Sequence, residues 1–161
     1  MLNRILTTRL PLLAYHPPKT YDLDFFKNIW LAGAMPVLDT EFIGTSKLSD
    51  LIGQLKNQNL RHGIRIYAED EEIWDYFEQH PADLPECVIV AYHNPDSLIK
   101  RQAVIAEILM MEIYESGLET ILKGINPHGI ILKGREAGGR TSSASSFMLS
   151  QYYGQKSDLP Y

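Results

Sequence analysis

The segment Gly134-Arg135-Glu136-Ala137-Gly138-Gly139-Arg140-Thr141 joins an apolar run to a serine-rich stretch. Gly138 and Gly139 are adjacent. Without Cβ atoms, their backbone can come close to a ligand and present bare N–H groups to it. A helix expected just beyond them adds a positive partial charge from its N-terminus. That combination suits an anion, a phosphate or the polar edge of a flavin. The plain structural alternative is a tight strand-to-helix turn that needs positive φ. The stretch also nearly matches the phosphate-loop pattern of Gly, four residues, Gly, Lys and then Ser or Thr, but Arg140 stands where lysine should be. Lysine acts there as a compact charge between phosphates, which a guanidinium does not reproduce. Such a loop also requires a later strand with an acidic magnesium ligand, and only about twenty residues follow.

Other chemistry-bearing residues follow successive apolar runs. They are His16, then Asp39 and Glu41, Glu69 and Asp70, His93 and Asn94, Glu115 and Ser116, and finally Arg135, Glu136 and Arg140. In a parallel α/β protein, ligands gather beyond the carboxyl ends of the strands, so these positions converge. Loop residues are polar in any protein, and Glu69 to Glu72 reads as a solvated helix start. His62, His80 and His128 precede strands or end helices and belong to the opposite rim as structural or solvent-exposed residues. No histidine pair has metal-ligand spacing, and no metal site is expected. No Gly-x-Ser-x-Gly elbow exists for serine hydrolysis. Cys87, the one cysteine, lies in an apolar run and reads as a core thiol. A single cysteine allows no intrachain disulfide, and a reducing, cytoplasmic setting is expected.

These residues need a scaffold, and the sequence outlines one. Leu10 to Tyr15, Met35 to Asp39, Gly63 to Tyr67, Cys87 to Tyr92, a run within Ile108 to Tyr114, and Gly129 to Lys133 read as strands. Between them lie amphipathic segments. Asp22 is expected to cap a helix over Leu23 to Leu31 that Gly33 stops. Ser46 is expected to cap a second, whose apolar side is Leu48, Leu51, Ile52 and Leu55. Asp70 to Phe77 is a third, acidic in its first turn. Ser97 to about Glu107, Gly117 to Gly124 and Ser142 to Tyr152 are further helical stretches.

The strands are short and almost wholly apolar, which marks parallel strands covered by helices on both faces. Six βα units fit an open doubly wound sheet or part of a (β/α)8 barrel. A full barrel takes about 200 residues or more, and the chain has 161. The expectation is one α/β domain over the whole chain, a partial TIM barrel; a complete small α/β domain is the alternative. With 15 basic and 20 acidic residues the net charge is -5. That balance argues against nucleic acid as a partner. No apolar run of about 18 residues exists for a membrane span.

The loop after the sixth strand resembles the nitronate monooxygenase, or 2-nitropropane dioxygenase-like, family of FMN-binding TIM barrels. Close relatives include FMN-dependent enoyl-acyl-carrier-protein reductases. That family carries a glycine and then acidic-Ala-Gly-Gly-His after its sixth strand; here the match runs from Gly129 to Arg140. Leu31-Ala32-Gly33-Ala34-Met35-Pro36-Val37-Leu38 is similar to the family's passage from first helix to second strand. Within the family, the chain looks most like divergent domains embedded in large polyketide-synthase-like proteins.

The resemblance implies FMN as cofactor, lying over the carboxyl end of the barrel. Residues near Ala14 and Tyr15 would back the ring, Lys133 would face its polar edge, and Gly138 and Gly139 would approach it by backbone. The implied substrate is a small molecule, a nitronate or an enoyl thioester. The family's base is the histidine that ends the motif, a place taken here by Arg140. Arginine stays protonated and cannot abstract a proton, but it can hold an anionic nitronate or stabilise charge on reduced flavin. His93 is the imidazole nominated as replacement base. The family's seventh and eighth strands hold the FMN phosphate, and this sequence ends at Leu159-Pro160-Tyr161, where a seventh strand is expected to begin. The barrel is therefore expected to be completed by more chain or by a partner, such as the rest of a multidomain synthase. Two rival readings stand beside the oxidoreductase. One is a non-catalytic structural or docking module of such a synthase; the other is a phosphate-sugar enzyme on the same barrel.

Overall fold

The computed structural model describes residues 12–17, 19–91, 106–135, 137 and 142–155. Expectations that fall on Leu10, Tyr92, His93, residues 97–105, Gly138, Gly139 and Arg140 lie outside the described residues. The elements are β1 (Leu13–Tyr15), α1 (Leu23–Ala32), β2 (Met35–Asp39), α2 (Thr45–Asn57), β3 (Gly63–Tyr67) and α3 (Glu71–Gln79). A 3-10 turn (Pro81–Asp83) follows, then β4 (Cys87–Ala91), β5 (Ile108–Ile113), α4 (Glu119–Ile125), β6 (Gly129–Leu132) and α5 (Ser146–Gly154). Among the described residues, no helix is long and apolar enough to cross a membrane.

Every neighbouring strand pair is parallel, and the sheet order is β1-β2-β3-β4-β5-β6. A doubly wound sheet reverses its strand order at a switch point. This sheet never reverses; it curls in chain order as a barrel does, and forms a partial TIM barrel. The apolar runs are explained by burial on both faces. On the outer face, Leu38, Ile64, Ile66, Val88, Val90, Met111 and Ile113 pack against helix residues such as Phe26, Leu51, Leu55, Trp74 and Phe77. On the inner face, Met35, Val37, Cys87, Ile89, Ile108 and Met110 form a second cluster. Each such side chain contributes about 1.5–3 kcal/mol when fully buried.

The inner space is tight at its base. Gly63 lies between Val37 and Cys87 in register, and a Cβ there would stand 3.3 Å from the Cys87 carbonyl oxygen. The inward residues of β2 to β5 are buried, whereas Leu13, Tyr15 and Ile131 on the end strands β1 and β6 are only half-buried.

The helix boundaries follow local chemistry. The Asp22 carboxylate accepts from the Asp24 N–H at 2.9 Å and opens α1. Gly33 closes it at φ 91°, its N–H donating to the Ile29 and Trp30 carbonyls. The cap expected at Ser46 is not used. Helix α2 begins at Thr45, two residues earlier than that cap implies, with Gly44 at the N-cap and no side-chain hydrogen bond. The burial of Leu48, Leu51, Ile52 and Leu55 decides where it sits. Helix α5 starts at Ser146, later than expected, because Ser145 caps it by accepting from the Met148 N–H at 3.2 Å.

Candidate active site at the carboxyl ends of the strands

Inward positions alternate with outward ones along each strand. Above the apolar inner cluster the inward residues turn polar: Asp39 at the end of β2, Arg65 in β3, Glu112 in β5. Tyr15, Tyr67, Tyr114 and Lys133 stand at the carboxyl ends of β1, β3, β5 and β6. Asp39 pairs directly with Arg65 in the ladder. Glu112 pairs with Ala91 of β4, which pairs in turn with Tyr67. The small Ala91 side chain leaves room for Arg65 to pass over β4 and reach β5.

Arg65 is 2% exposed, and all five of its N–H donors are engaged. Nε donates to Glu112 Oε2 at 3.0 Å and Nη2 to Glu112 Oε1 at 2.7 Å, a two-pronged fork. Nη2 also donates to the Tyr114 hydroxyl at 3.0 Å. Nη1 donates to Asp39 Oδ2 at 3.0 Å and to the Tyr67 hydroxyl at 2.7 Å. Glu112 collects further donors from the Tyr114 hydroxyl, from the Tyr15 hydroxyl at 3.3 Å and from Lys133 Nζ at 3.3 Å. Two buried carboxylates thus face two cations, the condition under which buried charge is tolerated. Glu41 stands at the edge, its Oε2 4.0 Å from Arg65 Nη1.

This setting fixes the protonation states. Burial pushes the Glu112 carboxyl up, but the hydrogen bonds and charge of Arg65, with Tyr114 and Lys133, outweigh it and hold Glu112 below the usual carboxylate range. Asp39 is shifted the other way: burial raises it by more than Arg65 and the Glu41 N–H recover. The tyrosines are all raised, first by burial; for Tyr15 and Tyr114 the Glu112 charge adds to it, and Tyr67 is pushed up to about 12. All three hydroxyls are neutral donors at pH 7.

Lys133 is the cation of this group with solvent access, its side chain 19% exposed. An ammonium carries three N–H donors, so the bond to Glu112 leaves donors for a ligand. Nζ also stands 5.9 Å from the centroid of the Tyr114 ring. Tyr67, Ala91 and Tyr114 form a small buried cluster of their own. The result is a largely aromatic floor at the barrel mouth with one ammonium beside it.

The expected site residues are distributed as follows. Lys133 is in the group. Ala14 pairs with Pro36; its neighbours Leu13 and Tyr15 join the inner cluster, so alternation turns the Ala14 methyl to the outer face and leaves its backbone toward the barrel. Asp39 and Glu41, read as strand-end polar residues, do converge on Arg65. His16 does not act at the mouth. It is buried, its Nε2 accepts from the Asp22 N–H at 2.8 Å, and it stacks on Phe26 with centroids 5.1 Å apart. Burial also lowers its pKa. His62 is buried on the opposite rim with Nδ1 3.1 Å from the Leu60 carbonyl oxygen. Cys87 is a core thiol pushed by burial up to about 12. Among the described residues, no group of three or more His, Cys, Asp or Glu side chains could hold a metal ion. Arg65 and Glu112 are the residues the sequence reading missed. Their signal is a lone charge at an inward position of an otherwise apolar strand.

No protein-family model matches the sequence, and no curated protein matches it. Solved structures do. FabK from Thermotoga maritima aligns with a TM-score of 0.80 at 14% identity, covering 99% of this chain and 51% of that one. A mutant of the same protein aligns with a TM-score of 0.80 at 13% identity, over 99% of this chain and 54% of that one. The chain therefore spans about half the length of the FabK chains it matches, and it shares their fold.

Proposed function

We propose that this chain contributes strands one to six of an FMN-binding oxidoreductase barrel that acts on an enoyl thioester or a nitronate. Two independent lines support the reading: the loop motif from Gly129 to Arg140, and the FabK fold of the described residues. The observation that carries it is the Lys133 ammonium, fixed by Glu112 at 3.3 Å beside the buried Tyr67–Ala91–Tyr114 floor. A flat ring with a polar edge fits that floor and cation. FMN, when bound, supplies the hydride and electron chemistry. Lys133 would donate to its polar edge, with the Gly138 and Gly139 backbone and the segment around Ala14 and Tyr15 as further supports. The Arg65–Glu112 pair keeps Lys133 in place and keeps the floor neutral. Arg140 serves as an anion-stabilising group, and His93 takes the proton-transfer role.

The test is spectroscopic. Protein expressed from its full reading frame is expected to bind FMN, with the flavin's own band at about 450 nm. NAD(P)H consumption with an enoyl thioester identifies the reductase, and oxidation of a nitroalkane under air identifies the monooxygenase. Protein that stays colourless after FMN addition overturns the reading. Undiminished turnover in His93→Ala removes that residue from the mechanism. Arg140 in place of the family's histidine favours one second reading, a non-catalytic structural or docking module of a larger synthase. Its mark would be protein that stays colourless after FMN addition and turns over neither substrate.

A further inference from the structure

Two loops on the carboxyl rim meet reciprocally. The β1–α1 loop supplies Lys19 and Tyr21; the start of the β2–α2 segment supplies Phe42, and Lys47 lies in the first turn of α2. Lys19 Nζ stands 4.8 Å from the Phe42 ring centroid, and Lys47 Nζ stands 5.5 Å from that of Tyr21. Each loop gives one cation and one ring to the other.

Tyr21 is half-buried, packs against the core and stacks on His16, but fold stability does not explain Lys19, Phe42 or Lys47. Phe42 is 70% exposed. Its φ of 67° is in the left-handed region, as are those of Lys19 at 69° and Tyr21 at 49°, and bulky residues adopt that conformation at a cost. Lys47 puts a cation where the helix dipole disfavours one. Among the described residues neither lysine has a carboxylate partner, in a chain with 20 acidic residues. Departures from local rules that gather in one place mark a functional surface. The place borders the candidate site: Phe42 directly follows Glu41, whose carboxylate reaches toward Arg65.

Unneutralised ammonium groups suit phosphates, and an exposed ring suits a stacked base. We propose that this rim binds the phosphorylated adenosine end of a ligand, its base on Phe42 and its phosphates on Lys19 and Lys47. The choice of adenine rests on the flavin reading, because a nicotinamide reductant and a coenzyme A thioester both carry adenosine phosphate.

The experiment is calorimetric titration of protein from the full reading frame with ADP, adenosine, NADPH and coenzyme A, alongside its FMN content. ADP is expected to bind at least tenfold more tightly than adenosine and to weaken with salt. The exposed-residue variant K19A/K47A is expected to lose at least tenfold in ADP affinity, K19E/K47E more, and Phe42→Leu severalfold for both ADP and adenosine. Melting temperature and FMN content should not change. Tighter NADPH names the electron donor as occupant, and tighter coenzyme A names the thioester; either supports the rim. Absence of ADP binding, or equal ADP binding by K19A/K47A, overturns it. FMN-loaded protein that ignores ADP sinks the rim alone. FMN-free protein whose ADP binding needs the lysines sinks the flavin reading alone.

Discussion

Arg65 and Glu112 are joined by a two-pronged hydrogen bond across a strand to which neither belongs. Arg65 is in β3 and Glu112 in β5, with Nη2–Oε1 at 2.7 Å and Nε–Oε2 at 3.0 Å. The side chains meet over β4 on the concave side, where the curl of the sheet shortens the span between next-but-one strands. The pair therefore belongs to the curl as much as to the site.

Breaking the pair from one side leaves charge buried and unmatched. Arg65→Met takes the fork from Glu112, leaving it Lys133 and two hydroxyls, and leaves Asp39 without its cation; it is expected to destabilise the fold by about 3–5 kcal/mol. Urea unfolding measures it. The triple change Arg65→Met, Glu112→Leu and Asp39→Asn removes the charges together and should recover most of that loss. A single Arg65→Met that costs under about 1 kcal/mol would mean the fork contributes nothing to folding.

The same pair sets a pH dependence. The folded-state pKa of Glu112 is depressed, so its contribution is present above the unfolded value of about 4.3 and is lost as pH falls through the folded value. Asp39 has the opposite sign. Its raised pKa means that the folded state binds the proton more tightly, so its effect is a loss of stability as pH rises from about 3.9 through the folded value. Stability measured from pH 7 downward should therefore fall more steeply at the acid end in Asp39→Asn than in wild type. The fall should be shallower in Glu112→Gln. Parallel curves for all three proteins would contradict this assignment.

Much of the fold is legible in the residue pattern, because parallel strands buried on both faces must be apolar at nearly every position. Cys87 to Ala91 is buried throughout and reads as a strand on sight. Gly33 and Asp22 are legible for the same local reason: a helix stop and a helix cap depend on their own residues. Ser46 misleads because the position of α2 is decided by the burial of Leu48, Leu51, Ile52 and Leu55 and not by its cap. The site is harder. Arg65 and Glu112 hide inside apolar runs, and their partnership depends on the curl of the sheet, which no local pattern carries. His16 shows the reverse error. It stands at a strand end like a ligand, but its ring is consumed in closing the β1–α1 loop through Asp22.

Two glycines give opposite expectations. Gly63 faces the inner base of the barrel, where a Cβ would lie 3.3 Å from backbone of the next strand and 3.6 Å from Val37 Cγ2. Gly63→Ala is expected to cost about 1–3 kcal/mol through overpacking. Gly53 is within α2, with nothing within 4 Å of an added Cβ. Gly53→Ala should stabilise by about 0.5–1 kcal/mol, since alanine loses less backbone entropy in a helix. Thermal melts of the two variants read both effects, and a stabilised Gly63→Ala would show that the inner base has slack.

Lys133 separates a structural role from a ligand-binding one. Its ammonium is one of several donors to Glu112, after the Arg65 fork and the Tyr114 hydroxyl, so its loss leaves the buried carboxylate satisfied. Its side chain is 19% exposed, and methionine fills nearly the same volume along the stem. Lys133→Met should therefore fold with a stability change below about 1 kcal/mol, as for other partly exposed ion pairs. A donor aimed at the edge of a bound flavin is a charge-assisted contact worth about 1.5–3 kcal/mol, so FMN affinity should drop roughly tenfold to a hundredfold. Quenching of flavin fluorescence during titration measures it, and Lys133→Arg should restore part of the loss by keeping the charge. Unchanged FMN affinity in Lys133→Met, with the fold intact, would show that this ammonium serves only the carboxylate beneath it.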